Sequence, residues 1–173
     1  MVARTCSVAR LLLAAALAAA GLSGCATKGV RNVNGRGPAD PIALESAFLA
    51  KNARAKGVVV LPGLQYMVLQ PGPAGGAHPK RSDDVTVRYE GRFLNGQLFS
   101  SSPRSGLDTT TFELGKLIPG WVAALQMMRP GDVWMIWAPP ELAYGAKGAG
   151  PIPPGAALAF KIELIAVQPT QPG

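Results

Sequence analysis

Apolar and polar residues change rhythm several times along this chain, and each change marks an element. In "DDVTVRYEGRF" the alternation is strict. Val85, Val87 and Tyr89 fall on one side of an extended chain, and Thr86, Arg88 and Glu90 on the other, as in a strand with one buried face. "AALAFKIELIAV" repeats the pattern, with Leu158, Phe160, Ile162 and Leu164 opposite Lys161 and Glu163. "GLQYMVLQPG", "TTTFELG" and "DVWMIWAP" add further strands by alternation or β-branched content. Asn95-Gly96 inside "FLNGQLF" is a hairpin signal. In "LIPGWVAALQMMRPGD" the period becomes helical: Trp121, Leu125 and Met128 recur at i, i+4 and i+7, bounded by Pro119-Gly120 and Pro130-Gly131. "DPIALESAFLAKNARAKG" opens with Pro41 at a first helical position and carries a partial stripe of Ile42, Leu44, Phe48 and Leu49. It predicts a helix of about four turns closed by Gly57, with a packing or spacing role. Together these predict an α+β domain: an antiparallel half-wrapped β-sheet around one short α-helix.

Composition supports that class. With 21 Gly and 16 Pro, short strands joined by many turns are favoured over a bundle, and 48% hydrophobic residues suffice for a core. The amino terminus has a different character. Arg4 and Arg10 precede "LLLAAALAAAG", an apolar run too short for a comfortable membrane span, followed by "LSGC", Leu22 to Cys25. This order resembles the lipobox of bacterial lipoproteins. The resemblance implies cleavage before Cys25, lipid on its thiol, and the periplasmic face of a bacterial membrane. Ala26, rather than Asp, after the cysteine leans towards the outer membrane. The organisation expected is a signal peptide over 1–24, a lipidated tether over 25–41, a short helix over 42–57, the sheet domain over 58–168 and a frayed tail over 169–173. Loss of Arg4 and Arg10 lowers the formal charge from +7 to +5. The remaining basic residues are scattered, without aromatic interleaving, so no nucleic-acid partner is expected.

Familiar catalytic chemistry is missing. His78 is the single histidine, in the loop composition "GGAHPK", and Cys6 lies in the segment expected to be removed. Neither a metal site nor a serine elbow can be assembled, and no phosphate-binding loop or dinucleotide fingerprint appears, so no cofactor and no metal are expected. Asp83-Asp84 reads as a turn at a strand entrance. Rotation about an X–Pro peptide bond needs none of those groups. It needs an apolar pocket favouring a twisted amide over the planar, charge-separated one.

"VRYEGRFLNGQLFSSS", "LGKLIPGW" and "ELAYGAKGAGPIPPGAALAFKIEL" follow one another at a spacing that resembles the FKBP family of peptidyl-prolyl cis-trans isomerases. The resemblance covers about Gly63 to Val167. The preceding "FLAKNARAKGVVVLPGLQYMVLQPG" is similar to the same region of macrophage infectivity potentiator-type envelope members, whose long helical dimerisation domain is replaced here by a short segment. The resemblance implies Trp121 as a pocket floor, Tyr89, Phe99, Leu117, Ile118 and Phe160 as walls, and Ile152 on an overhanging loop. It implies substrate carbonyls bound by the Ile118 N–H and by the hydroxyl of Tyr144, a tyrosine expected to be buried. The implied partners are unfolded or flexible proline-containing polypeptides, with macrolide-type molecules as pocket ligands. Two positions depart from the family pattern. Ser100 stands where Asp usually follows the pocket phenylalanine, with Asp108 the candidate to compensate. Thr110 stands where many members carry another aromatic wall. Weakened isomerase activity is therefore expected; the alternative is a non-catalytic proline-peptide-binding or chaperone-like lipoprotein.

Overall fold

A computed structural model describes residues 41–102 and 108–170. The lipobox around Cys25 lies outside the described residues. The first described element, α1 (Pro41–Asn52), ends a turn earlier than the sequence pattern implies. Ala53 donates to the Leu49 carbonyl, but Arg54 and Ala55 donate only three residues back, to Lys51 and Asn52. The chain then turns through Gly57 at φ +84°, a conformation in which a Cβ would be strained. Its apolar stripe is only partly covered: Ile42 and Leu44 remain 58% and 59% exposed, while Phe48 and Leu49 are half-buried. Polar contacts also hold the helix. Glu45 Oε2 accepts from the Ala157 N–H at 2.6 Å, Gln65 Nε2 donates to the Leu49 carbonyl, and Asn52 Nδ2 donates to Gln65 Oε1, the last two both at 2.9 Å.

Seven strands follow: β1 (Val59–Leu61), β2 (Leu64–Gln70), β3 (Asp84–Phe93), β4 (Leu98–Ser101), β5 (Thr110–Glu113), β6 (Val133–Ala138) and β7 (Leu158–Gln168). The sequence reading missed β1, because three residues before a Pro62-Gly63 turn are too few for alternation to register. All pairings are antiparallel, in the order β1-β2-β6-β7-β3. Two short strands divide the outer edge of β3. β5 pairs with Asp84–Val87, and β4 pairs with Glu90–Arg92. The Asn95-Gly96 turn forms as predicted, with Gln97 N–H bonded to Asn95 Oδ1 at 2.9 Å.

Among the described residues, the helix that packs into the core of the sheet is α2 (Pro119–Leu125), preceded by a 3-10 turn at Leu114–Lys116. Leu125 and Met128 are fully buried beside Val85, Val87, Ile136, Ile162 and Leu164. At about 1.5–3 kcal/mol for each large side chain removed from water, this cluster fixes the helix to the sheet. After α2, the buried Asp132 carboxylate accepts from the N–H groups of Gly72 (2.5 Å) and Arg129 (2.6 Å), joining two loops. Asp83 acts in the same way at the entrance to β3, accepting from Lys80 N–H at 2.7 Å. Thr170, in the segment expected to fray, is tied back, since its hydroxyl donates to the Ser82 carbonyl. This is the α+β arrangement the hydrophobic pattern implies.

Candidate functional site

Trp121 occupies the first turn of α2 because Pro119 supplies a preset φ at a position whose N–H has no helical partner. The Ile118 carbonyl starts the helix by accepting from the N–H groups of Trp121 (3.0 Å) and Val122 (3.1 Å). The indole is thereby held against three aromatic rings from three strands. Tyr89 on β3, Phe112 on β5 and Phe160 on β7 have centroids 5.2, 6.1 and 5.4 Å from it, with ring planes at 80°, 86° and 89° to its own. Phe99 on β4 meets Phe160 edge-on at 5.8 Å and is backed by Phe93 at 5.1 Å. One flat ring with others standing nearly perpendicular makes a floor with walls. The Trp121 Nε1–H is buried without an acceptor among the described residues, a cost of about 1–3 kcal/mol. Edge-to-face contacts worth about 0.5–1.5 kcal/mol each, on three sides, offset that cost.

The rings enclose a cavity of about 430 Å³. All nine residues predicted for the site line it: Tyr89, Phe99, Ser100, Leu117, Ile118, Trp121, Tyr144, Ile152 and Phe160. Among the described residues, Ile118 N–H and Tyr144 Oη have no hydrogen-bond partner, so both remain available as donors. Ile152 closes one side from a tight loop in which Ala149 and Ile152 exchange backbone hydrogen bonds at 3.0 and 2.9 Å. The Tyr89 hydroxyl and Ser100 Oγ are 3.0 Å apart. Burial pushes the Tyr144 phenol above its ordinary pKa of 10.0, with a smaller contribution from Tyr89, so the phenol stays a protonated donor.

Several sequence expectations need correction. Tyr144 is 38% exposed and stands at the rim, not in the interior. Thr110 does not line the cavity; its place in the strand pairs with Val87, and Phe112, two residues on, supplies an aromatic wall. The signal was present, since Phe112 is the one aromatic residue in "TTTFELG". Asp108 is exposed and absent from the lining, and its carbonyl accepts from Ser102 Oγ at 3.2 Å, so it does not replace the missing carboxylate. Ala149, Gly150 and Pro151 also line the cavity and were not singled out.

Gly91 was missed as well. A Cβ there would lie 2.7 Å from Phe99 Cζ and 3.1 Å from Phe160 Cε1. Only glycine lets both rings close over β3 at this point. A glycine interrupting the strand pattern "RYEGRF" was the available clue.

Comparison with known proteins gives the same picture. Residues 75–165 match the family described as FKBP-type peptidyl-prolyl cis-trans isomerase. The chain is 50% identical over 124 residues to the peptidyl-prolyl cis-trans isomerase Mip of Coxiella burnetii, covering 70% of this chain and 53% of that protein. It is 45% identical over 124 residues to the outer membrane protein MIP of Legionella longbeachae, covering 70% of this chain and 52% of that one. The chain thus spans about half the length of these curated relatives. The crystal structure of FkpA from Escherichia coli superposes with a TM-score of 0.72 at 38% identity, over 77% of this chain and 62% of that chain. With the family match extending over more than half of the sequence, the chain belongs to the FKBP-type peptidyl-prolyl cis-trans isomerase family.

Proposed function

We propose that the cavity receives the proline of X–Pro segments in unfolded or flexible polypeptides and speeds cis–trans rotation of the preceding peptide bond. The observation that carries this reading is the ring geometry on Trp121: an apolar box lined, among the described residues, by no ionised side chain. A planar amide has a charge-separated resonance form, and rotation to the twisted transition state removes it, against a barrier of about 18–20 kcal/mol. Apolar walls solvate the planar form poorly and the twisted form comparatively well, so the barrier falls. Ile118 N–H and the Tyr144 hydroxyl hold the flanking carbonyls while the prolyl ring rests on the indole. No proton is transferred and no covalent intermediate forms. Each 1.4 kcal/mol gained in this way is about tenfold in rate, against an uncatalysed step of tens to hundreds of seconds.

Ser100 favours a second reading, a non-catalytic proline-peptide-binding or chaperone-like module. A neutral hydroxyl replaces the carboxylate implied at that position, so the electrostatic pull on the bound amide is weaker. Macrolide-type ligands would bind the same box, with affinity altered by that change. A proline-peptide isomerisation assay separates the readings. Turnover by the parent that falls in Tyr144→Phe and Trp121→Leu supports the isomerase. Background rates for all three proteins select the binding module.

The clients are proposed to be envelope proteins, reached from a membrane anchor at Cys25. Support comes from the "LSGC" order and from the likeness to a relative named as an outer membrane protein. Fractionation of cells making the full chain tests this. A Cys25→Ser chain that stays in the membrane fraction contradicts it.

A further inference from the structure

A second apolar depression adjoins the aromatic cavity, and α1 forms one side of it. It has a volume of about 590 Å³ and is lined by Leu44 and Phe48 of α1, Phe93 and Leu94 at the end of β3, and Pro151 and Pro153 of the loop before β7. Two observations make it continuous with the cavity. Pro151 lines both, while its neighbours Ile152 and Pro153 face one each. Phe93 in the groove also packs on Phe99 in the cavity, at 5.1 Å between centroids. A polypeptide leaving the cavity over Pro151 meets this groove as its next surface.

We propose that the groove holds an apolar side chain of the same client segment whose proline rests on Trp121. The proposal builds on the peptide-binding reading of the cavity. It assigns α1 a role in specificity, through Leu44 and Phe48. The Glu45, Gln65 and Asn52 hydrogen bonds fix the helix in place without using Leu44, which stays 59% exposed above the groove. A large aliphatic side chain held in water at the edge of an apolar hollow gains by being covered. Among the described residues the one ionisable group in the lining is the carboxylate of Glu45, which already accepts from Ala157 N–H, and Asn95 and Gln97 add neutral polar groups at one side. An aliphatic or aromatic client residue therefore suits the groove, and an acidic one does not.

The experiment uses the full chain and two labelled peptides. Both have one central leucyl-proline bond; one carries leucines on both flanks and the other serines. Fluorescence anisotropy is expected to show about three- to tenfold tighter binding of the leucine-flanked peptide, the range for partial burial of one aliphatic side chain. Leu44→Ser is expected to remove most of that preference, and Leu44→Met to keep it. Because Leu44 is exposed, neither change threatens folding. Equal binding of the two peptides by the parent overturns the proposal, as does an undiminished preference in Leu44→Ser. Isomerisation of the same peptides is read separately. A binding preference without turnover would overturn the isomerase reading and leave the groove assignment standing.

Discussion

The Tyr89 hydroxyl lies 3.0 Å from Ser100 Oγ, so a neutral hydroxyl pair occupies the edge of the aromatic box. Tyr89 is also one of the rings standing on Trp121, and its orientation is thus set from both ends. Replacing Ser100 by Asp would exchange a neutral hydrogen bond for a charge-assisted one, roughly twice as strong. Ser100→Asp is expected to raise kcat/KM on a proline peptide by several-fold. A variant no faster than the parent would show that the serine does not limit turnover.

Close packing over Gly91 sets a second expectation. Gly91→Ala places a methyl group against Phe99 and Phe160, and each ring is restrained by a further ring, Phe93 on Phe99 and Trp121 on Phe160, so relief requires both to shift into the cavity they line. Overpacking of this kind costs about 1–3 kcal/mol. Thermal unfolding should show a lowered Tm together with loss of peptide turnover. Unchanged Tm and turnover would mean that the rings are not pressed on β3.

Tyr144 should separate function from stability. Its hydroxyl has no partner among the described residues and the ring stands at the rim. Tyr144→Phe is expected to lower kcat/KM by about tenfold, the value of one hydrogen bond made in the transition state, with Tm within a degree or two. An equal loss of stability would indicate a structural role.

The pH profile follows from the lining. Among the described residues the cavity lining has no carboxylate, imidazole, amine or thiol, and burial raises the Tyr144 phenol above 10.0. A raised phenol keeps its proton below that value, so its contribution as a donor is intact at neutral pH and is lost only as pH rises through the raised value. Turnover of a peptide without ionisable side chains should be flat from about pH 6 to 9. A bell-shaped profile centred near neutrality would require a titrating catalytic group that this cavity does not supply.

A fourth substitution tests the scaffold rather than the site. Asp132 joins Gly72 and Arg129 through two short hydrogen bonds to a buried carboxylate. Asp132→Ala leaves two backbone donors without that acceptor, at about 1–3 kcal/mol each. Chemical denaturation should show the loss, while turnover at low temperature persists. No change in the denaturation midpoint would contradict the assignment.

Much of this was legible in the sequence because the strands are half-buried and the helix is short. Val85, Val87, Leu158, Ile162 and Leu164 are all buried on the faces that alternation assigns them, and Trp121, Leu125 and Met128 form one buried stripe. Where local pattern and tertiary contact part company, the reading failed. The end of α1 at Asn52 coincides with hydrogen bonds from Arg54 and Ala55 to carbonyls three residues back and with the contacts of Leu49 and Asn52 to Gln65, which no periodicity encodes. Phe112 becomes a wall only because β5 pairs with the first half of β3, and Gly91 matters only because two distant rings converge on it. The resemblance implies a buried Tyr144 whose hydroxyl needs a substrate carbonyl as partner, but the ring is 38% exposed. Its place on the rim keeps the hydroxyl within reach of water.

Exchange spectroscopy by NMR on a proline peptide, with the parent and Trp121→Leu at matched concentration, addresses the central claim most directly. The floor of the box is removed while the sheet that carries Tyr89 and Phe160 is kept. The parent should raise the cis–trans exchange rate well above that of free peptide, and Trp121→Leu should lose at least about tenfold of that acceleration, or 1.4 kcal/mol. An exchange rate equal to that of free peptide with the parent, or an undiminished one with Trp121→Leu, would contradict the account.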